Sequence, residues 1–136
     1  MFRKTYKVKG EDVNDFMVMQ HFAYLSYASN VLHTFLFEKG YSRQKLNTLK
    51  IGLQESSEEL IHYKHLMFGQ AFFVDLELYL KADDGKISIK NSFFNQRNEL
   101  CTVVHTKLSW FDYSEWEVTP APKRIAKHFF NAKIAS

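Results

Sequence analysis

One cysteine, two prolines, five glycines and no long apolar run set the first limits on this 136-residue chain. Cys101 has no second thiol to pair with, so an intramolecular disulfide framework is excluded. Cys101 lies in an apolar-rich stretch, where a thiol is expected buried and inert. The prolines stand at 120 and 122, so no regular strand is expected there. No apolar stretch reaches the roughly 18–20 residues that cross a bilayer, so no membrane attachment is expected. The opening Met1-Phe2-Arg3-Lys4-Thr5-Tyr6-Lys7 has no hydrophobic signal core after it, and a cytoplasmic protein is the expectation.

The chain also lacks a strong charge of one sign. Its net charge is +3 and its basic residues are scattered, with Arg3, Lys4, Lys7 and Lys9 near one end and Lys123, Arg124 and Lys127 near the other. A dedicated nucleic-acid binder clusters such residues, so no nucleic-acid partner is expected. The six histidines form no His-x-x-x-His pair and no Cys/His cluster, so no metal or other cofactor is expected. His62 and His65 are three apart, a spacing that in a strand puts them on opposite faces. His33 falls mid-helix and His105 mid-strand. There is no Gly-rich phosphate loop and no Gly-x-Ser-x-Gly elbow.

What is present is core-forming material. Hydrophobic residues make up 46% and aromatic residues 16%, with 13 Phe and 7 Tyr, enough for one folded domain over 1–136. Thr5 to Lys9 alternates apolar and charged residues and reads as a first strand. Phe22, Leu25, Leu32 and Leu36 recur at helical spacing, with Ala28 and Ser29 between them, and predict a helix over Phe22 to Lys39. Lys39-Gly40 supplies the stop. Eighteen residues span roughly 27 Å, long enough to lie across a sheet.

Beyond Gly40 the period becomes two. Leu49, Ile51 and Leu53 alternate with polar neighbours, and Leu60 to His65 is a further short candidate. Phe72, Val74, Leu76, Leu78 and Leu80 alternate with Phe73, Asp75, Glu77, Tyr79 and Lys81, the cleanest strand in the chain. Asp83-Asp84-Gly85-Lys86 signals a hairpin. Ile87 to Phe94 returns, Asn95 to Glu99 turns, and Leu100 to Phe111 forms a long last strand. Arg124 to Phe130 reads as a short helix or a tail. A lone helix and one antiparallel sheet bury their apolar faces only against each other, which gives an α+β fold. The opposite sheet face, with Asp75, Glu77 and Lys81, is expected to be wet or covered by another subunit.

Asp12 to Leu25 reads DVNDFMVMQHFAYL. It resembles the D-x-D-x-x-G-H-V-N-N-x-x-Y-L segment of hot-dog acyl-CoA thioesterases of the 4-hydroxybenzoyl-CoA thioesterase type. Asp12 matches the first Asp, Gln20 and His21 the two Asn positions, and Tyr24-Leu25 the Tyr-Leu that opens the helix. Phe35-Leu36 with Gly40, Tyr63-Lys64-His65-Leu66 with Gly69, and Leu108 to Asp112 followed by Pro120 are similar to later family segments. The resemblance covers about residues 5 to 125. It implies a hot-dog fold, one long helix on a five- or six-stranded antiparallel sheet, and hydrolysis of an acyl-CoA thioester. The chain departs from the family pattern at the catalytic Asp, here Asn14, and at the Gly-His pair, here Met17-Val18.

Thioester hydrolysis needs a carboxylate, oxyanion donors and an apolar cleft. The resemblance implies an oxyanion donor at the backbone N–H near His21, with Met17, Val18 and Met19 at the acyl entrance and Tyr24 beside it. Asn14 cannot act as a base, though it can hold a water or the carbonyl. Asp15 and Asp12 are candidate substitutes, against an equally good reading as ordinary capping residues before a helix. Glu55, Glu58 and Glu59 could approach across a subunit interface. Lys86 and Lys90 stand on the hairpin where relatives place nucleotide contacts, and Arg97 follows on the next turn; solvated surface charge explains each of these singly.

Three functions fit. One is a thioesterase acting on acyl-CoA. The second, favoured by Asn14 and Met17-Val18, is a relative that binds an acyl thioester or fatty ligand without cleaving it. The third is a hydratase or dehydratase, for which His21 and His33 offer no convincing partner spacing. The resemblance also implies a homodimer or homotetramer with the cleft between subunits.

Overall fold

The computed structural model describes residues 2–80, 86–127 and 130–131. The chain runs β1 (Phe2–Lys7), a single 3-10 turn (Gly10–Asp12), α1 (His21–Glu38), α2 (Arg43–Leu49), β2 (Ile51–His62), β3 (Ala71–Leu80), β4 (Lys86–Asn95), β5 (Leu100–Asp112), β6 (Glu117–Val118), α3 (Lys123–Ala126) and β7 (Phe130–Asn131). Five long strands form an antiparallel path in the order β1-β3-β4-β5-β2; β6 adds to β5, and β7 runs parallel to β3. The expected hairpin residues Asp83, Asp84 and Gly85 lie outside the described residues, and Lys86 opens β4.

The long helix forms where its period places it and buries Ala28, Leu32 and Leu36 of the expected stripe, but at its N-terminal end the buried face shifts to Tyr24 and Tyr27. Tyr24, Tyr27, Ala28, Val31, Leu32, Phe35 and Leu36 face the sheet, while Phe22 is 55% exposed and Leu25 half-buried. The i, i+3, i+4 rule fixes a stripe's width, and the sheet decides which neighbouring stripe it covers. Gly40, at φ 94°, takes the left-handed position after the helix, and the Tyr41 N–H closes on the Leu36 carbonyl.

The alternation from Leu49 to Leu53 gave no hint of α2. Ser42 caps that helix by accepting from the Lys45 N–H at 3.1 Å, and Lys50 ends it at φ 56°. Leu49 is therefore helical, and the two short candidates around residues 51 and 60 are one twelve-residue strand, β2.

The inner sheet face carries Phe72, Val74, Leu76 and Leu78 of β3, Ile87, Ile89 and Phe93 of β4, and Val104, Leu108 and Trp110 of β5. The outer face is not uniformly wet. Asp75 is only 5% exposed there, and its cross-strand neighbour Arg3 grips it with two hydrogen bonds, 2.5 and 2.9 Å. The Arg3 guanidinium also lies over the Phe73 and Phe94 rings. Cys101 is buried, as expected, and burial pushes its thiol pKa up.

Candidate active site at the start of the long helix

The segment before α1 is a tight loop folded on itself. Val13 and Met19 form a bridge, as do Val18 and Met67, and the Asn14 N–H donates to the Val18 carbonyl at 3.0 Å. Asn14 Oδ1 accepts from the Phe16 and Val18 N–H groups at 2.9 and 3.2 Å. This Asx arrangement lets Met17 sit at φ 65°. The Asn14 carbonyl oxygen is thus committed to shaping the loop.

Asp12 is 8% exposed. Its Oδ2 accepts from the Lys9 N–H at 2.9 Å and from the Tyr27 hydroxyl at 2.5 Å. Burial, followed by the bond to Asp12, raises the Tyr27 pKa, so the phenol stays protonated and keeps donating. Asp12 fastens the loop to α1. Asp15 is exposed at the loop tip.

The helix itself starts at His21, with Gln20 as its cap residue. The Gln20 N–H donates to the Asp12 carbonyl at 2.8 Å and its side-chain amide to the Val13 carbonyl at 3.0 Å. The first turn of a helix leaves backbone N–H groups without intrahelical acceptors, at the positive end of the dipole. Around this end stand exposed apolar side chains, Phe16, Met17, Phe22, Tyr63, Met67 and Phe68. Such a patch marks a surface that a ligand or partner covers.

Of the residues expected at the acyl entrance, Met17 is exposed and Val18 half-buried, while Met19 is 3% exposed and belongs to the core. Tyr24 is fully buried, and its hydroxyl oxygen accepts from the Leu66 N–H at 3.2 Å. Lys86 and Lys90 alternate with the inward Ile87, Ile89 and Asn91. They therefore point to the outer face, and the sheet separates them from α1.

Two histidines that the spacing kept apart meet here, with His21 near enough to act on His62. β2 ends at His62, and the chain then bends, so strand alternation does not carry through to His65. The His62 and His65 ring centroids are 5.4 Å apart, and His62 packs edge-on to Tyr24 at 4.9 Å. His62 Nδ1 lies 3.0 Å from the buried Thr102 Oγ1. Burial lowers the His62 pKa, helped by the nearby His65 and His21. No sequence signal linked His62 to Thr102, which is forty residues away. Among the described residues no group of three His, Cys, Asp or Glu side chains is arranged to hold a metal ion.

A cavity of about 370 Å³ opens between α1 and the β2–β5–β4 face, one helical turn from His21. Leu25, Ala28, Leu32, Val104 and Leu108 give it apolar walls. Glu55 and Glu58 stand in its lining although three residues apart in a strand. A bulge explains this. Glu55 pairs with Leu108 and Ser57 with Lys107, so Ser56 is an extra residue that re-phases β2 and turns both acids inward. They share a hydrogen bond that, with some burial, raises the Glu55 pKa to about 7. The buried Asn91 also lines the cavity, and its Nδ2 has no partner among the described residues.

Residues 8–129 match the thioesterase-like superfamily. The chain belongs to that family. No curated protein matches its sequence. Among solved structures it is similar to a Staphylococcus aureus protein in complex with CoA, with a TM-score of 0.84 and 17% identity over 93% of this chain and 80% of that one. It is similar to a 1,4-dihydroxy-2-naphthoyl-CoA thioesterase from Synechocystis, with a TM-score of 0.84 and 13% identity over 97% of each chain. A gentisyl-coenzyme A thioesterase aligns with a TM-score of 0.79 and 20% identity, over 91% of this chain and 98% of the other. These likenesses identify the fold as the hot-dog fold. No helix among the described residues of this family member is long and apolar enough to cross a membrane.

Proposed function

We propose that this protein hydrolyses an acyl-CoA thioester to the free acid and CoA, at the N-terminus of α1. The observation that carries this reading is the opening of α1, where free backbone donors face an exposed apolar rim in a chain of the thioesterase-like superfamily. The N–H groups around His21 hold the developing oxyanion, which needs no particular side chain at that position. Phe16, Met17 and Phe22 shelter the pantetheine arm, and the cavity beyond Leu25 receives the acyl tail. Structures similar to this one include a CoA complex and two acyl-CoA thioesterases, which supports the choice of CoA as carrier.

The assembly in this reading is a homodimer made through β2. That strand ends the five-strand path, and among the described strands its outer edge has no neighbour. A twelve-residue open edge invites a second copy. Light scattering should give twice the chain mass, and a monomer at working concentrations would remove this part of the proposal.

A second reading has one specific observation behind it. Asn14 stands where the family places its carboxylate, and its Oδ1 is occupied by the loop. A chain that binds acyl-CoA without cleaving it would look the same there. Release of free thiol from short, long and aromatic acyl-CoAs separates the two. Thiol release by the wild-type protein supports hydrolysis. Binding without release, with turnover appearing only in Asn14→Asp, favours the binding reading. Neither binding nor release sinks both.

A further inference from the structure

Hydrolysis needs a group that takes a proton from water, and no side chain of the loop before α1 is placed to do so. Asp12 is buried under Lys9 and Tyr27, Asn14 is an amide, and Asp15 points outward from the loop tip. We propose that His62, at the end of β2, is the general base of this site, oriented by Thr102 and Tyr24 and standing in for the carboxylate missing at Asn14. The inference rests on the thioesterase reading above.

Thr102 Oγ1 both donates and accepts, so it can take a hydrogen from His62 Nδ1 over 3.0 Å. In that tautomer Nε2 keeps its lone pair, on a residue that is exposed. Tyr24 lies on the first turn of α1 and its ring meets the His62 ring at 4.9 Å. The base thus packs against a side chain of the helix start. Among the described residues, His62 alone of His21, His62 and His65 is held by a buried hydroxyl.

The charged and titratable groups facing His62 favour its neutral form. His21 comes from α1 and His65 from the segment after β2, and both lower its proton affinity in addition to burial. Tyr24 is a protonated phenol. A neutral imidazole at neutral pH is the state a general base needs.

The step balances without a cofactor. Nε2 takes a proton from water, and the water oxygen bonds to the thioester carbon. The carbonyl π pair moves onto oxygen, where the α1 N–H groups hold it. The carbonyl re-forms, the C–S bond breaks, and the departing thiolate takes the proton back from Nε2. The products are the carboxylic acid and free CoA thiol.

The test is steady-state thiol release across pH by the full-length wild type, His62→Gln and His65→Gln, with circular dichroism confirming each fold. The wild-type kcat/KM should fall as acid protonates His62, below its ordinary pKa of about 6.5. His62→Gln should lose about 10²- to 10⁴-fold in kcat/KM, the range for a general base, and should lose the acid limb with it. His65→Gln should keep turnover with its acid limb moved to higher pH. Added imidazole should restore part of the activity of His62→Ala. A wild-type profile that is flat between about pH 5 and 8 overturns the role of His62 however the variants fold. So does wild-type turnover in His62→Gln; in both cases hydrolysis itself still stands. A folded wild type that releases no thiol from any acyl-CoA removes the hydrolytic reading and His62 with it.

Discussion

Replacing Asp12 by Ala separates a structural acid from a catalytic one. Asp12 Oδ2 receives two hydrogen bonds, from the Lys9 N–H at 2.9 Å and the Tyr27 hydroxyl at 2.5 Å. Its carboxylate is nearly buried, and Tyr27 is only 8% exposed. Removing the acceptor leaves the Tyr27 hydroxyl with only the Lys7 carbonyl, 3.5 Å away, and leaves the Lys9 N–H in a part-buried loop. A hydrogen bond to a charged group contributes about 1.5–3 kcal/mol, so losing two costs about 3–6 kcal/mol. That is a large part of the roughly 5–15 kcal/mol that stabilises a domain. Urea unfolding should show the midpoint falling by that free energy divided by the slope, with little change in the slope itself. Tyr27→Phe removes one of the two bonds and should cost about half as much, and the double variant should cost no more than Asp12→Ala plus a few tenths of a kcal/mol. Turnover per folded molecule should survive in Tyr27→Phe and in Asp12→Asn. An Asp12→Asn protein with wild-type stability and no turnover would refute this reasoning and return Asp12 to the role of catalytic acid.

Arg3→Met should destabilise the protein by less than the about 3–5 kcal/mol of a fully buried pair, because it strands the buried Asp75 carboxylate while the Arg3 side chain it removes is 43% exposed. Arg3→Met with Asp75→Leu should recover most of that loss in the same urea experiment. The Glu55 carboxyl, raised to about 7 beside Glu58, holds its proton more tightly folded than unfolded. Its contribution to stability is therefore fully present below its unfolded pKa and is lost as pH rises through about 7. Thermal unfolding of Glu58→Gln should lose less stability than wild type over that window, and parallel curves would count against the shared proton. Asn14→Asp should fold as wild type does, since Oδ1 still accepts from Phe16 and Val18, and a loop rearranged in the amide NMR spectrum would show that the Asx geometry is not what holds it.

Local pattern was enough for the architecture. The period of α1, the glycine at 40 and the alternation of β3 and β4 each place an element through burial of its own side chains, which a short window of sequence records. The resemblance from Asp12 to Leu25 pointed to the right family because that segment forms the loop and helix start of the fold. α2 escaped because seven residues with a single buried Leu46 leave almost no periodic trace.

The surroundings of individual site residues were set by partners distant in sequence. Asp12 reads equally well as acid or cap in the sequence, and the Tyr27 hydroxyl that donates to it comes from fifteen residues on. Glu55 and Glu58 belong to opposite faces of a regular strand until the bulge at Ser56 re-phases them. His62 and His65 belong to opposite faces until the strand ends between them, and Thr102 reaches His62 across a strand pairing forty residues apart. Periodicity encodes which face of an element is buried. It carries no information about which side chain of another element will stand opposite, and the geometry of this site consists of those oppositions.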